Sequence, residues 1–434
     1  MPIESKSKST KTAGVWPERV PELLKIGLPD RLLVPIGVRR AGEARVKPAG
    51  TLVRRGEPLV DHAAESSHVP LSPADGTLGE VCPVRLTTGA AAVAVELIVA
   101  GESPEGLENP SASGNEIISL VEGIEHIRSA GIWADRHTSP DLIGQLNQVI
   151  ARPIDTLICT ILDSDASLRL NAAIAAKYSE RVVGGMLLLA GIAGARQTIL
   201  AVESSVTPQW IKPLVEAAKR SRLEIVDLAN EYPQSDPTLM VYSLTRRRLR
   251  PGNLPTTRGV LVLDAAAAMA IGDGVFHEPM LTVPAAIHDH ANRHSHFIRV
   301  PVGSTVEHVL KQLRIPTEDS VLRGGDLLRD MGLPIDAVFG GGELTIHVTF
   351  HEAPVIPEPC IRCAWCIEAC PTLIHPALIL DAAQRHDARM AERAGIGACI
   401  ECGVCSHVCP SGLPLLKAIR NVRNSRPDME KSAG

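Results

Sequence analysis

Apolar positions change rhythm along this chain, and each change marks a boundary. Between residues 29 and 110 they come as short runs, LLVPIGV, TLVRR, EPLVDH and AAVAVELIVA, separated by the turn signals PAG, RRGEP and SPADG. Evenly spaced runs of that length predict short strands closed into a small β barrel or sandwich. From about residue 120 to 272, apolar runs of strand length (DTLICTIL, QTILAVE, RLEIVDLA, GVLVLD) alternate with Ala/Leu-rich helical stretches. That alternation predicts βαβ units and a mostly parallel, doubly wound sheet. Residues 273–352 return to short strands, PMLTVPA, HFIRVPV and LTIHVTF, around one helix, VEHVLKQL, as in a small α+β module. The remainder holds helical connectors and a polar tail, while residues 1–28 read as a flexible N-terminal segment opening on a Ser/Lys-rich stretch.

Composition narrows the classes. A chain of 434 residues has room for about three folded units at roughly 150 residues each. With 45% hydrophobic and 21% charged residues, wholesale disorder is excluded. Aromatics make up only 3%, too few for a base-stacking platform, and a net charge of -5 supplies no field that attracts phosphate. The longest uncharged apolar run, Val182–Ala195, is short of the roughly 20 residues a bilayer needs. The opening residues contain no hydrophobic signal core, so the expected location is cytoplasmic, or peripheral on the cytoplasmic face of the inner membrane.

Cysteine usage points to chemistry. Of 10 cysteines, eight fall between Cys360 and Cys409. They form two copies of C-x2-C-x2-C-x3-C-P: Cys360, Cys363, Cys366 and Cys370 before Pro371, then Cys399, Cys402, Cys405 and Cys409 before Pro410. This is the bacterial ferredoxin run for 4Fe–4S clusters, in which the fourth cysteine of each run ligates the other cluster. One cluster is therefore expected on Cys360, Cys363, Cys366 and Cys409, the other on Cys399, Cys402, Cys405 and Cys370. Structural zinc prefers two separated C-x2-C pairs and leaves the third cysteine of each run without a role. Between the ligands stand Ile361, Trp365, Ile367, Ile400, Val404 and Val408, apolar residues that limit water near sulfur.

These motifs resemble the RnfC family, the peripheral iron–sulfur subunit of the Rnf ion-translocating electron-transport complex, along nearly the whole chain. The resemblance implies a multidomain α/β and α+β fold. Its parts would be a barrel-sandwich domain (29–110), a Rossmann-like α/β domain (111–272), a β-grasp SLBB-type module (273–352) and a ferredoxin-type domain with two clusters plus tail (353–434). No lysine sits at the expected carrier hairpin tip, Ser66, Ser67 and His68, so a swinging arm is not expected. Tyr232-Pro233-Gln234, the PGNLP turn at Pro251–Pro255, Gly259 and Arg323-Gly324-Gly325-Asp326 follow the family's order, and CIECGVCSHVCPSGLPLLKAIR is nearly its consensus.

One departure matters. The family's glycine-rich loop, GxGGAGFPTxxK, is replaced here by Gly131-Ile132-Trp133-Ala134-Asp135-Arg136-His137-Thr138-Ser139-Pro140. Such loops approach a phosphate through bare amides, and Trp133 and Asp135 oppose one by bulk and charge. The family's NGAECEP has become Cys159 to Asp165, YPQG-x-E has become Tyr232 to Pro237, and its Asn-x-x-Thr pair is Asp264 and Ala267 or a neighbour. All these changes fall on one expected pocket. The reading is therefore an electron-transfer subunit that relays single electrons through two 4Fe–4S clusters to or from a redox protein or membrane reductase partner, with FMN and NADH binding lost or altered. The alternatives are an FMN-dependent NAD(P)H reductase of the RnfC or cobalamin-reductase kind, and a non-redox scaffold with structural clusters. No catalytic residue is assigned, and no residue is assigned to a flavin. The histidines from His288 to His296 read as a surface connection rather than a metal loop. Arg246–Arg250 reads as a solvated turn, the glycines of Val182–Gly194 as close helix packing, and Cys82 and Cys159 as small buried side chains.

Overall fold

The computed structural model describes residues 20–37, 45–62, 68–101, 119–164, 169–203, 208–229, 231–276, 278–329, 331–350 and 355–430. Ser66 and Ser67 of the expected hairpin tip, and Asp165, lie outside the described residues.

The first apolar runs form an antiparallel sheet in the order Arg31–Gly37, Ala91–Val99, Gly76–Arg85, Leu52–Val53, beside a two-stranded pair of Arg45–Val46 with Val60–His62. Alternation puts Leu32, Val34, Leu78, Val95 and Leu97 inside, as the two-residue period of a half-buried strand requires.

The next stretch builds a four-stranded, wholly parallel sheet ordered Glu224–Leu228, Gln197–Glu203, Thr156–Thr160, Val260–Asp264. Every residue of the two strands TLICT and VLVLD is buried, because helices cover both faces of a parallel sheet. The helices are Leu120–Ser129, started by a Ser119/Glu122 capping box, then Leu142–Ala151, Leu170–Lys177, Ser179–Ala193, Pro208–Arg220 and Ala265–Phe276. Glycines let two of them touch at the backbone. A Cβ on Gly185 would stand 1.9 Å from the Ala268 carbonyl oxygen, and one on Gly272 would stand 2.3 Å from that of Arg181. The glycine run of Val182–Gly194 is thus a packing surface.

A six-stranded mixed sheet follows, ordered Leu24–Lys25, His294–Pro301, Thr282–Asp289, Thr345–Phe350, Ser320–Gly324, Gly332–Leu333. Its first strand corrects the reading of residues 1–28 as flexible throughout. Leu24 and Lys25 pair in parallel with Ile298 and Arg299, Leu23 and Ile26 are buried, and the Gly27 amide donates to Gln312 Oε1 at 3.0 Å. A strand of two residues has no period to read, so only its partner, far along the chain, reveals it.

The cysteine-bearing segment has a core of its own, with Ile374, Ile379, Ala382, Ala391, Ile396, Leu415 and Ile419 packed between helices Pro376–Gln384, Ala388–Arg393 and Leu415–Glu430. No helix among the described residues is long and apolar enough to cross a membrane.

The glycine contact yields a stability test. Gly185→Val should cost at least about 3 kcal/mol in denaturant unfolding, since neither backbone can retreat from the overlap. Gly191→Ala, where a new Cβ meets nothing within 4 Å, should instead stabilise by roughly 0.5 kcal/mol through helix propensity.

Candidate functional site

The two cysteine runs fold as copies of one another. Arg362 and Ala364 flank Cys363 with φ of 57° and 67°, and Glu401 and Gly403 flank Cys402 with φ of 55° and 77°. Three residues after the last cysteine of each run the chain turns left-handed again, at Leu373 (54°) and Gly412 (60°). Alternating right- and left-handed residues turn successive amides toward one concavity, which favours negative charge. Short helices, Trp365–Glu368 and Val404–His407, then carry the third cysteine of each run. The Glu401 amide donates to Cys399 Sγ at 3.3 Å, and the amides of Ala377, Val404 and Ser406 donate to the sulfurs of Cys366, Cys402 and Cys405.

The eight thiols fall into two groups. Cys366 feels the charges of Cys363, Cys409 and Cys360, whereas Cys405 feels those of Cys399, Cys402 and Cys370. Each group therefore draws three thiols from one run and the last thiol of the other. Burial, followed by these like neighbours, pushes Cys405 up to about 12, and burial with smaller neighbour effects pushes Cys402 up to about 11. A cationic centre reverses that preference by taking thiolates. Cys370, Cys399, Cys402 and Cys405 line a space of about 300 Å³, partly open to solvent, with Ile374, Ile400 and Leu416 in its walls. That is about ten times one water's share of liquid volume. Among the described residues, no three His, Cys, Asp or Glu are gathered tightly enough to hold a single metal ion. A 4Fe–4S cubane spreads four thiolates over four irons, so spaced thiols, inward amides and apolar walls suit it. The first group is more open: Cys360 is exposed, as are Ile361 and Trp365.

The loop at 131–140 is buried against the strand ends of the parallel sheet. Trp133 stacks on His68 with ring centroids 4.8 Å apart and planes 2° from parallel, and its indole occupies the room left by Gly340 and Gly341. Arg136 donates from Nε to Asp264 Oδ2 at 2.6 Å and from Nη2 to Oδ1 at 2.5 Å, with both side chains buried. Thr138 Oγ1 and the Ala267 amide also donate to Asp264, at 2.7 and 2.9 Å. Nearby, Arg169 pairs with buried Glu203, and Asp163, its carboxyl raised well above the usual range by burial, accepts from Asn171. Burial likewise pushes Glu343 up to about 7, against the pull of Arg136.

The substituted positions thus do meet at one crevice, though not in the way charge alone predicts. Asp135 is engaged locally, accepting from the Asp141 amide at 3.2 Å. The obstacle to a phosphate is the set of carboxylates of Asp163, Glu203 and Asp264, with both arginines already committed to two of them. Dinucleotides and flavins bind open α/β sheets at such strand ends, and on this donor set, among the described residues, an FMN phosphate finds no free cation and no run of bare amides. Sequence reasoning missed the Arg169–Glu203 pair, and it missed Arg329, which joins this crevice to the cysteine loop. The other signals are placed plainly. Arg247 grips Asp155 through two bonds of 2.8 Å, so the basic run is not wholly solvated. His294 and His296 touch edge to edge on a hairpin strand, Cys159 is buried, and Cys82 is half-buried.

Fold and site define a multidomain protein that joins a flavodehydrogenase-type α/β domain to an iron–sulfur domain. The family models agree: residues 144–273 match the Nuo51 FMN-binding domain and residues 354–420 a 4Fe–4S dicluster domain. A relative from Clostridium ljungdahlii, the RnfC-type component of a proton-translocating ferredoxin:NAD(+) oxidoreductase complex, is 23% identical over 293 residues, covering 66% of this chain and 64% of the relative. Its counterpart in the ion-translocating oxidoreductase complex of Pectobacterium carotovorum is 24% identical over 390 residues, covering 86% and 50%. This chain is RnfC-like, and it spans about half to two thirds of the length of these two relatives. Two solved structures of NAD+-reducing NiFe hydrogenase, air-oxidised and H2-reduced, align at 15% identity with TM-scores of 0.43 and 0.45. They cover 64% and 74% of this chain and 50% and 66% of theirs, a likeness too slight to place the fold.

Two tests follow from the crevice. Arg136→Met strands the buried Asp264 carboxylate and should cost about 3–5 kcal/mol in denaturant unfolding. Arg136→Lys should recover little of it, because an ammonium cannot make the paired bonds. His68, whose burial lowers it to about 4 from 6.5, is neutral when folded and protonates on unfolding below pH 6.5. Its contribution is present above that value and is lost as pH falls toward 4, so wild type should lose about 2 kcal/mol more than His68→Phe between pH 7 and pH 5.

Proposed function

We propose that this protein is an electron-transfer subunit of an RnfC-like oxidoreductase complex, carrying two 4Fe–4S clusters. Cys360, Cys363, Cys366 and Cys409 hold one, and Cys399, Cys402, Cys405 and Cys370 hold the other. The observation that carries this reading is the crossed grouping of the thiols, three from one run with the lone thiol of its twin. Bound there, iron–sulfur clusters supply one-electron chemistry. The protein's share is to hold eight sulfurs in two nests of amides, to screen them with Ile374, Ile400 and Leu416, and to leave the Cys360 side near the surface where a redox partner can approach. The chain is organised as a barrel-sandwich domain at 29–110, a Rossmann-like domain at 111–272, an SLBB-type module at 273–352 and a ferredoxin-type domain from 353. It works at the periphery of a membrane complex on the cytoplasmic side.

We further propose that FMN and NADH binding at the α/β domain has been given up. What supports this is the crevice itself, whose cations Arg136 and Arg169 are spent on Asp264 and Glu203. The match of residues 144–273 to an FMN-binding domain favours a second reading, an FMN-dependent NAD(P)H reductase. That match begins after the substituted loop at 131–140.

Anaerobic purification with iron, sulfide and flavin analysis separates the readings. About eight irons and eight sulfides per chain are expected, with no stoichiometric FMN and with electron paramagnetic resonance signals that appear on dithionite but not on NADH. Cys409→Ser should abolish the same signal as Cys363→Ser, and Cys370→Ser the same signal as Cys402→Ser. A flavin bound one to one, with reduction by NADH alone, would establish the reductase instead.

A further inference from the structure

One buried polar network joins the α/β crevice to the second cysteine run, and Arg329 is its centre. Arg329 sits on the single turn Leu327–Arg329, just after the Arg323–Asp326 element, and is buried. Its amide and Nε donate to the two oxygens of Asp326, each at 2.8 Å. Its Nη2 donates to His137 Nε2 at 2.8 Å and reaches Asp236 Oδ2 at 3.4 Å. Its Nη1 donates to the Ile400 carbonyl at 3.0 Å and reaches that of Glu401 at 3.4 Å. Those two carbonyls belong to the turn between Cys399 and Cys402. Tyr232 grips the next carbonyl, with its hydroxyl 2.5 Å from Cys402 O and 3.0 Å from Asp326 Oδ1. The single hydroxyl proton serves one acceptor at a time. Gly403 completes the contact: a Cβ there would stand 1.8 Å from the Leu328 carbonyl oxygen, so the cysteine turn is pressed directly onto the turn that carries Arg329.

Three features make this more than packing. The fork of one guanidinium spans four partners from three parts of the chain, which a lysine cannot do. The positive charge is buried, where its field is weakly screened, and it acts on Cys402. Among the described residues, the first run has no such clamp: Cys360, Ile361 and Arg362 are exposed. The two thiol groups are near copies in backbone and differ in what is bolted to them.

We propose that Arg329, steadied by Asp326, Asp236 and His137 and seconded by Tyr232, is a positioning residue for the cluster held by Cys399, Cys402, Cys405 and Cys370. It fixes the Ile400–Gly403 turn to the body of the protein and sets that cluster's reduction potential apart from its twin's. Reduction adds negative charge to a cluster, so a buried cation beside one site raises that potential and leaves the other untouched. The proposal rests on the cluster assignment above, and its test tells the two apart.

The test is a potentiometric titration followed by electron paramagnetic resonance, on the full chain with both clusters loaded, for wild type, Arg329→Gln, Arg329→Lys and Tyr232→Phe. The Cys370→Ser signal loss identifies which resonance belongs to the clamped cluster. Arg329→Gln should move that midpoint alone to a more negative value, Arg329→Lys should bring most of it back, and Tyr232→Phe should shift the same midpoint by less. If Arg329→Gln yields no folded protein, Tyr232→Phe carries the test by itself. With eight irons in place, unchanged midpoints in Arg329→Gln and Tyr232→Phe, or equal shifts of both clusters, overturn this proposal and leave the cluster assignment intact. A wild-type chain that binds no cluster overturns both.

Discussion

Sulfurs from two distant stretches of chain have to share one small space, and the C-terminal architecture follows from that requirement. Each cysteine run makes a tight loop with left-handed residues on either side of its middle cysteine and then, three residues past its last cysteine, turns left-handed once more. Those turns send the last cysteine away from its own run and into the neighbouring group. The helices Pro376–Gln384 and Leu415–Glu430, with Ile379 and Ile419 between them, hold the two loops at the separation this exchange demands. Loops bound by mutual exchange cannot be moved singly, which gives a small domain a rigidity its modest core alone does not supply.

The crevice of the α/β sheet obeys a different constraint. Strand ends of a parallel sheet gather polar groups in a region where little water remains, and every buried charge there needs a partner. A protein that binds an anionic cofactor leaves part of that demand for the cofactor to meet. In this chain Asp264 already receives Arg136, Thr138 and the Ala267 amide, and Glu203 receives Arg169. Trp133, stacked on His68 and seated over Gly340 and Gly341, closes the space from the barrel side. The crevice keeps the family's framework while its internal pairs occupy what the framework elsewhere leaves open.

Arg329 connects these two regions. His137 belongs to the substituted loop, Asp236 to the segment after Tyr232, and Asp326 to the six-stranded sheet's turn, and all three converge on a guanidinium whose remaining donors grip the cysteine turn. The residues that differ from the family's flavin pattern are thus tied by hydrogen bonds to the part of the chain that the cysteine pattern marks as functional.

Local patterns along the chain determined a good deal. The eight cysteines declare their chemistry by spacing, because the reach of a short loop sets which metal centre it can wrap. TLICT and VLVLD announce buried strands, and the alternation of strand and helix implies the parallel sheet, since both are properties of contiguous residues. Tertiary structure alone decided the rest. Leu24 and Lys25 form a strand only because Ile298 and Arg299 lie beside them. The arginine of Trp133-Ala134-Asp135-Arg136, rather than its acidic neighbour, came to dominate the crevice because Asp264 waits 128 positions further on. Arg329 has no sequence signature at all, as its partners lie 3, 71, 93 and 192 positions away. Chemistry that depends on spacing within one loop can be read from the chain, whereas the pairing of buried charges depends on which distant segments the fold brings together.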